Sequence, residues 1–507
     1  MDILESFSKY HKIICKVYNE SLGRYVKINF HIPSLLIIII LSSICLALLS
    51  LIDKTLAVAA IFIVFLASVT LFFINKIQEK ETIKFLSTLF LIVFLIHVIA
   101  VVFIYYTNFQ PFSEGRGDFN EYQSIARQIS ERASVGNFSL KNFSEFPSLV
   151  NYYPVIVGYV YLLTAPSMLL GQLLNAWIVA LVAIFVYLIV KEIGRSAKEG
   201  FIVGLIVGFY PSLFFYGSLL LKDALVVLLS TIGLLLTLKI IKKFSWLNFL
   251  IFYITLVGLT HFRFYFSYAI ILSFIICWFV LSDLKIKKRV VYGIIMIILF
   301  GFLPFSALDG KTQGYMGLRA IRSFLNPQTI VGYRDLAFST KDQTQPSVQD
   351  QTQPSVSQND LLISNGQVIA RYSPIAQDSS ISMDLSFSDP ISFFKNISLS
   401  FAYVTLGPFP WQLTQKKHLF VLPEIIAWYF LLFFIIRGIA KSIRKDYKVV
   451  LPLIIFSLVI FGILSLYINN FGIITRIRIP AFLALLCLFP LGFNWVKNVK
   501  IPFLDKH

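Results

Sequence analysis

The chain has 507 residues, 57% of them apolar and only 14% charged, with a mean hydropathy of +0.78 and a formal net charge of +18. A soluble domain carries about 25% charged residues, so a single water-facing globule is excluded, as are fibrous and disordered chains. The basic excess lies in short clusters between apolar runs, which is the pattern of membrane loops and gives no reason to expect a nucleic-acid partner.

The first 32 residues hold Lys9, Lys12, Lys16, Arg24 and Lys27 and no apolar core followed by a small-residue cleavage site, so no removable leader is expected. Windows of predominantly apolar residues then predict about twelve helical spans. They fall at 33–52, 56–75, 85–106, 168–190, 201–217, 219–238, 247–261, 265–282, 290–306, 422–438, 449–468 and 479–496. The fold class expected is an all-α polytopic membrane protein. Cys45, Cys277 and Cys487 lie in these runs and Cys15 in the basic start; no CxxC or Cys/His cluster suggests a disulfide framework or zinc.

Charge divides the connections into two sets. Residues 1–32, 76–84, 191–198, 239–243, 285–289, 437–448 and the tail from Lys497 hold three to five basic residues each. The alternate short connections hold one or two: Lys54, Lys222, Arg263, and the pair Arg476 and Arg478. The positive-inside rule then puts both termini in the cytoplasm and two long polar segments, 107–167 and 307–421, on the outer face.

Four parts are expected: an N-terminal segment with two spans (1–84), a core (85–306), the second long loop (307–421) and the C-terminal spans (422–507). The second loop carries a tandem repeat, Asp342–Gln349 (DQTQPSVQ) and Asp350–Ser357 (DQTQPSVS), so 340–360 is expected to be a mobile tip. Toward its end 391–411 is apolar again but interrupted by Lys395 and closed by Gly407-Pro408-Phe409-Pro410-Trp411. Two prolines so close break a helix, which predicts an interfacial or re-entrant element, with a thirteenth span as the alternative.

The first outer loop reads Glu114-Gly115-Arg116-Gly117-Asp118-Phe119-Asn120-Glu121-Tyr122 and onward to Ile129. A helix is predicted from Asp118, with Asp118 as its N-cap, Glu121 in a box-like position three residues on, and Phe119, Tyr122, Ile125, Ala126 and Ile129 as an apolar stripe. On composition Asp118 is a cap; a carboxylate at the apolar boundary is also suited to take a proton. Lys222 and Asp223 at the outer end of a span read either as an interfacial anchor or as cavity-lining charges. His261 and Arg263, on a short outer turn, read as anchors or as phosphate or sugar contacts. Arg476 and Arg478 run against the positive-inside trend, and guanidinium suits bidentate phosphate binding.

Gly117-Asp118-Phe119-Asn120-Glu121-Tyr122-Gln123-Ser124-Ile125-Ala126 resembles the Gly-Asp-x-x-x-Tyr-x-x-x-Ala pattern of GT-C fold membrane glycosyltransferases. That group includes protein O-mannosyltransferases and the lipid A aminoarabinose transferase. Tyr152-Tyr153-Pro154 stands where the group often has His-Pro-Pro. Ser218-Leu219-Leu220-Leu221-Lys222-Asp223 and Arg476-Ile477-Arg478-Ile479-Pro480 are similar to its later segments. The likeness covers 85–240 well and 255–300 and 470–495 loosely.

The resemblance implies an inverting glycosyltransferase that moves a sugar from a polyprenyl-phosphate donor to a glycan, lipid or protein hydroxyl, in a bacterial inner membrane. Asp118 would be the general base. Arg116, Lys222, Arg263, Arg476 and Arg478 would face the phosphate, with Glu121, Tyr122, Tyr153, Asp223 and His261 as further substrate contacts. A divalent metal is possible, although the first outer loop has no Asp-x-Asp pair. Two other classes stay open: a polysaccharide polymerase or ligase using a lipid-pyrophosphate glycan, which the long 307–421 loop favours, and a transporter.

Overall fold

A computed structural model describes residues 12–19, 24–31, 51, 53–77, 79–111, 117–138, 152–300, 326, 330, 361–364, 367–371, 389–412, 421–445, 447–468 and 470–493. The repeat at 340–360 and nearly all of the first expected span, 33–52, lie outside them. The chain divides into two units, Met1–Phe65 and Leu66–His507. The first holds an antiparallel hairpin, β1 (Lys12–Asn19) with β2 (Arg24–His31), paired from Lys12 opposite His31 to Asn19 opposite Arg24. It also holds the first half of α1 (Lys54–Ile74).

The second unit is helical. In chain order it contains the rest of α1, α2 (Lys80–Thr107), α3 (Asp118–Ser134), α4 (Tyr153–Leu163), α5 (Met168–Glu192), α6 (Ala197–Gly208), α7 (Pro211–Gly217), α8 (Asp223–Lys242), α9 (Trp246–Leu281) and α10 (Ile286–Leu299). A small hairpin follows, β3 (Leu361–Ser364) with β4 (Gln367–Arg371). The remainder is α11 (Pro390–Leu406), α12 (Leu422–Lys445), α13 (Tyr447–Tyr467), α14 (Phe471–Ile477), α15 (Ile479–Leu486) and α16 (Phe489–Gly492). Among the described residues seven helices are long and apolar enough to cross a membrane, or eight if α6 and α7, bent by 60° to one another, count as one span. This is an all-α membrane protein in its spanning part, with two hairpins in its polar segments.

Local chemistry explains the boundaries. Gly194 (φ 79°) closes α5 in the left-handed region that favours glycine. Two residues later Ser196 and Glu199 form a reciprocal capping box that opens α6. Pro211 has no N–H to give back to the preceding turn and holds Tyr210 extended, so the span breaks between α6 and α7. Nε2 of His97, buried on α2, takes up the Gly208 carbonyl at that break, 2.9 Å away. Gly200, Gly204 and Gly208 share one face of α6. A Cβ there would stand 2.9 Å from Tyr187, 2.6 Å from Leu89 and 2.6 Å from Val93, so this face lets α2 and α5 approach closely.

Several expected spans have a different form. Helix α9 runs through 36 residues, but Arg263 (φ −155°, ψ 91°) leaves helical geometry. The rings of Phe252 and Phe274 lie 5.0 Å apart, and Ser267 Oγ donates to the Leu256 carbonyl at 3.1 Å. In a straight helix residues 22 apart are separated by about 33 Å. The helix therefore folds back on itself at Arg263, and its arms are the separate segments 247–261 and 265–282. The expected span 479–496 is instead the shorter apolar stretch Ile479–Gly492, opened and reopened by Pro480 and Pro490. At about 1.5 Å per residue it covers some 21 Å, less than a hydrocarbon layer. Within 290–306 the described helix ends at Leu299. The prolines after Gly407 stop α11 at Leu406, as their spacing requires.

Three ion pairs tie together described basic connections of the second unit. Lys191 pairs with Glu79 at 2.6 Å, Lys242 with Glu192 at 2.9 Å and Lys448 with Asp283 at 3.3 Å. These pairs join the ends of α2, α5, α8, α9 and α13. The opposite end of α8, 20 residues or about 30 Å away, begins with Asp223.

Candidate functional site

Helix α3 starts the site. Its first backbone bond runs from Asn120 N to the Gly117 carbonyl, so Gly117 is the N-cap and Asp118 is the first helical residue. The expected role of Asp118 as cap is thereby corrected: Gly117 holds the cap position, and Asp118 follows it as the first helical residue. Both Asp118 and Glu121 still stand in the first turn, where carboxylates suit the helix dipole. The predicted stripe of Phe119, Tyr122, Ile125, Ala126 and Ile129 is buried. Ile125 and Ile129 pack on Val155 of α4, and Gly158 comes so close that an added Cβ would stand 2.9 Å from the Ala126 carbonyl oxygen.

The freed Asp118 carboxylate meets a cation from far along the chain. Arg476 Nη2 donates to Asp118 Oδ2 at 3.0 Å, and its Nε donates to Asp223 Oδ2 at 2.5 Å. Arg263 Nη2 donates to the other oxygen of Asp223 at 2.9 Å, and its Nη1 donates to the Tyr265 hydroxyl at 2.8 Å. Each of these residues is delivered by a chain break. Asp118 opens α3, Asp223 opens α8, Arg263 is the fold-back of α9, and Arg476 lies at the end of α14. Helix α14 is itself started by Asn470, whose side chain accepts from Ile473 N. The Asp223 side chain is 5% exposed and Arg476 19%, whereas Asp118 is 48% exposed. The cluster has a buried floor and an open edge, and the edge is the carboxylate.

Lys222 completes the group. It is half-buried, and no hydrogen bond or ion pair joins it to another described residue. Burial, and then repulsion from the Arg263 guanidinium, bring its ammonium down to about 7 against the pull of Asp223. Arg476 is held protonated: burial works against its charge, and Asp223 and Asp118 outweigh burial. Burial pushes the Tyr122 hydroxyl above its ordinary range, and the charge of Asp118 adds to this. Three cations and two carboxylates thus face one another.

Other expected contacts fall elsewhere. Tyr153 is fully buried and its hydroxyl donates to Asn175 Oδ1 at 2.9 Å, which corrects its expected place as a substrate contact. Its ring lies against Tyr122, 5.7 Å between centroids. Asn175 Nδ2 in turn donates to the carbonyls of Leu219 (2.6 Å) and Leu221 (2.8 Å), which fixes the bend that delivers Lys222 and Asp223. His261 donates its Nδ1–H to the Val257 carbonyl and meets the half-exposed ring of Tyr152 edge-on at 5.0 Å. Glu121 is half-buried one turn along α3. Arg116 lies outside the described residues.

Arg478 is also corrected. It is 2% exposed and turned away from Asp118, pairing with Glu424 at 3.5 Å and donating to the carbonyls of Val404 and Gly407. Glu424 accepts from Tyr210 and Ser212 as well. It was not foreseen, although an acid set in the apolar stretch Leu422-Pro423-Glu424-Ile425-Ile426 is a signal for a buried partner. Among the described residues no three His, Cys, Asp or Glu side chains gather, and a guanidinium stands between Asp118 and Asp223. No protein-family model matches the chain, and no curated protein matches it.

Proposed function

We propose that the chain is a membrane glycosyltransferase of GT-C type, moving a sugar from a polyprenyl-phosphate donor to an acceptor hydroxyl. The observation that carries this reading is the pairing of Asp118 with Arg476 across 358 positions of sequence, on the open edge of a buried cationic floor. A base for the acceptor and a clamp for a departing phosphate are the two groups this reaction needs side by side.

The donor phosphate competes with Asp118 for Arg476, and its arrival leaves the carboxylate to accept a proton. The acceptor oxygen then attacks the anomeric carbon as its proton passes to Asp118. The bond from that carbon to the phosphoester oxygen breaks, its electron pair stays on the phosphate, and the configuration inverts. Arg476 and Lys222 stabilise the charge that develops on the leaving group, while Asp223 and Arg263 hold Arg476 in place. With Lys222 protonated the group has one positive charge in excess, which suits a phosphodiester better than a pyrophosphate and supports a monophosphate donor over the polymerase or ligase reading. The charged groups collect at one end of the helices, whereas a transporter holds such groups near mid-membrane.

The end bearing the cluster is opposite the basic loops, so the positive-inside rule assigns it to the outer face, with both termini in the cytoplasm. The test is transfer by the purified full-length chain in lipid nanodiscs, offered a panel of polyprenyl-phosphate sugars and polyprenyl-pyrophosphate glycans. Transfer from a monophosphate donor supports the reading. Turnover of pyrophosphate donors alone overturns it in favour of the polymerase or ligase.

A further inference from the structure

The last four carbonyls of α11 and its exit have no helical partner and would cost free energy if buried bare. All four are taken by side chains from elsewhere in the second unit. Arg478 donates to Val404 at 3.1 Å and to Gly407, Trp428 Nε1 donates to Thr405 at 2.9 Å, and the Tyr429 hydroxyl donates to Leu406 at 2.8 Å. The guanidinium of Arg478 lies 4.5 Å from the Phe482 ring centroid, and the Trp428 ring stacks on the same Phe482 at 3.7 Å. Glu424 balances the buried charge and ties the assembly to Tyr210 and Ser212 at the start of α7.

Arg478 is also the residue at which α14 passes into α15, two positions after Arg476. The short backbone between them therefore carries one side chain to the end of α11 and the other to Asp118 and Asp223. We infer that Arg478 is a positioning residue: by gripping the docked end of α11 it sets the reach of Arg476, so docking of α11 and anion binding at Arg476 favour each other. This rests on the reading of Arg476 as the phosphate clamp, and it assigns a role to the helix that ends the second long loop.

The test uses the full-length chain in nanodiscs with farnesyl phosphate as probe, reading its Kd and the hydrogen exchange of the peptide 390–407. In the parent, saturating farnesyl phosphate slows exchange at 390–407, as reciprocal coupling requires. Arg478→Gln raises the Kd about tenfold, a typical coupling, and Arg478→Lys restores part of it. Because Arg478→Gln can fail to fold, the pair Trp428→Phe with Tyr429→Phe loosens α11 and leaves both arginines intact; it raises both exchange and Kd. Faster exchange with an unchanged Kd in that pair overturns the coupling and leaves the phosphate clamp standing. Absence of saturable binding by the parent overturns the clamp itself, and the coupling with it.

Discussion

Arg476 and Arg478 are the same residue type, two positions apart, in a segment where sequence pattern treats them alike. One lies across an open edge between two carboxylates, where a ligand can compete for it. The other is sealed against Glu424 and two backbone carbonyls, where nothing can. The difference is one of partners and burial. Arg476 can release its half-exposed partner Asp118 at modest cost while it keeps the buried Asp223, whereas Arg478 has the buried Glu424 as its acid and cannot leave it without stranding a charge. Direct ligand contact is expected at the first kind of arginine, and stability and positioning at the second.

The largest expected effect tests the open edge through its acid. Asp118→Asn keeps the shape of the side chain and removes its capacity to take a proton. Transfer should fall by about a thousandfold, within the range of general-base losses, with the melting temperature unchanged. Near-parent turnover would remove Asp118 from the chemistry. On the sealed side, Arg478→Gln leaves Glu424 buried without its cation and should destabilise the chain by about 3–5 kcal/mol. A thermal melt in nanodiscs reads this, and a parent-like melting temperature would break the contrast. Arg476→Gln should act mainly on binding, raising the donor KM by roughly ten- to a hundredfold, or about 1.4–2.8 kcal/mol; the buried Asp223 keeps Arg263 as a cation, so the fall in melting temperature should be smaller than for Arg478→Gln.

The helices that frame this contrast were largely legible in the sequence; the contrast itself was not. Apolar spacing placed α3 and its buried stripe, and the prolines after Gly407 placed the end of α11. The turn between the arms of α9 was marked by Arg263 in an otherwise apolar run, because a lone charge there belongs at an end. Sequence could not say which arginine would meet Asp118, since the pairing joins breaks in α3, α8, α9 and α14 that only packing brings together. Nor could it separate Tyr153, which braces Asn175, from Tyr122, whose ring borders the charged group. Local periodicity reports which face is buried and is silent about what lies across from it.

Lys222 offers the smallest effect and the sharpest test of how the open edge works. Its attraction to Asp223 does not offset burial and repulsion from Arg263, and its ammonium is held at about 7, so near neutrality it is divided between charged and neutral forms. An anion favours the charged form. Farnesyl phosphate affinity should therefore fall as pH rises through about 7, by a factor of a few. Lys222→Arg keeps its charge over that range and should flatten the profile. The stability of the free chain should move the other way. A lysine with a depressed pKa in the folded state disfavours folding while it must be charged there, so stability rises from about pH 7 toward the unfolded value. Opposite slopes for binding and for stability, both lost in Lys222→Arg, would identify the group as an unsatisfied cation kept for an anion. Parallel slopes would assign the binding profile to loss of the fold, and Lys222 would revert to an interfacial anchor.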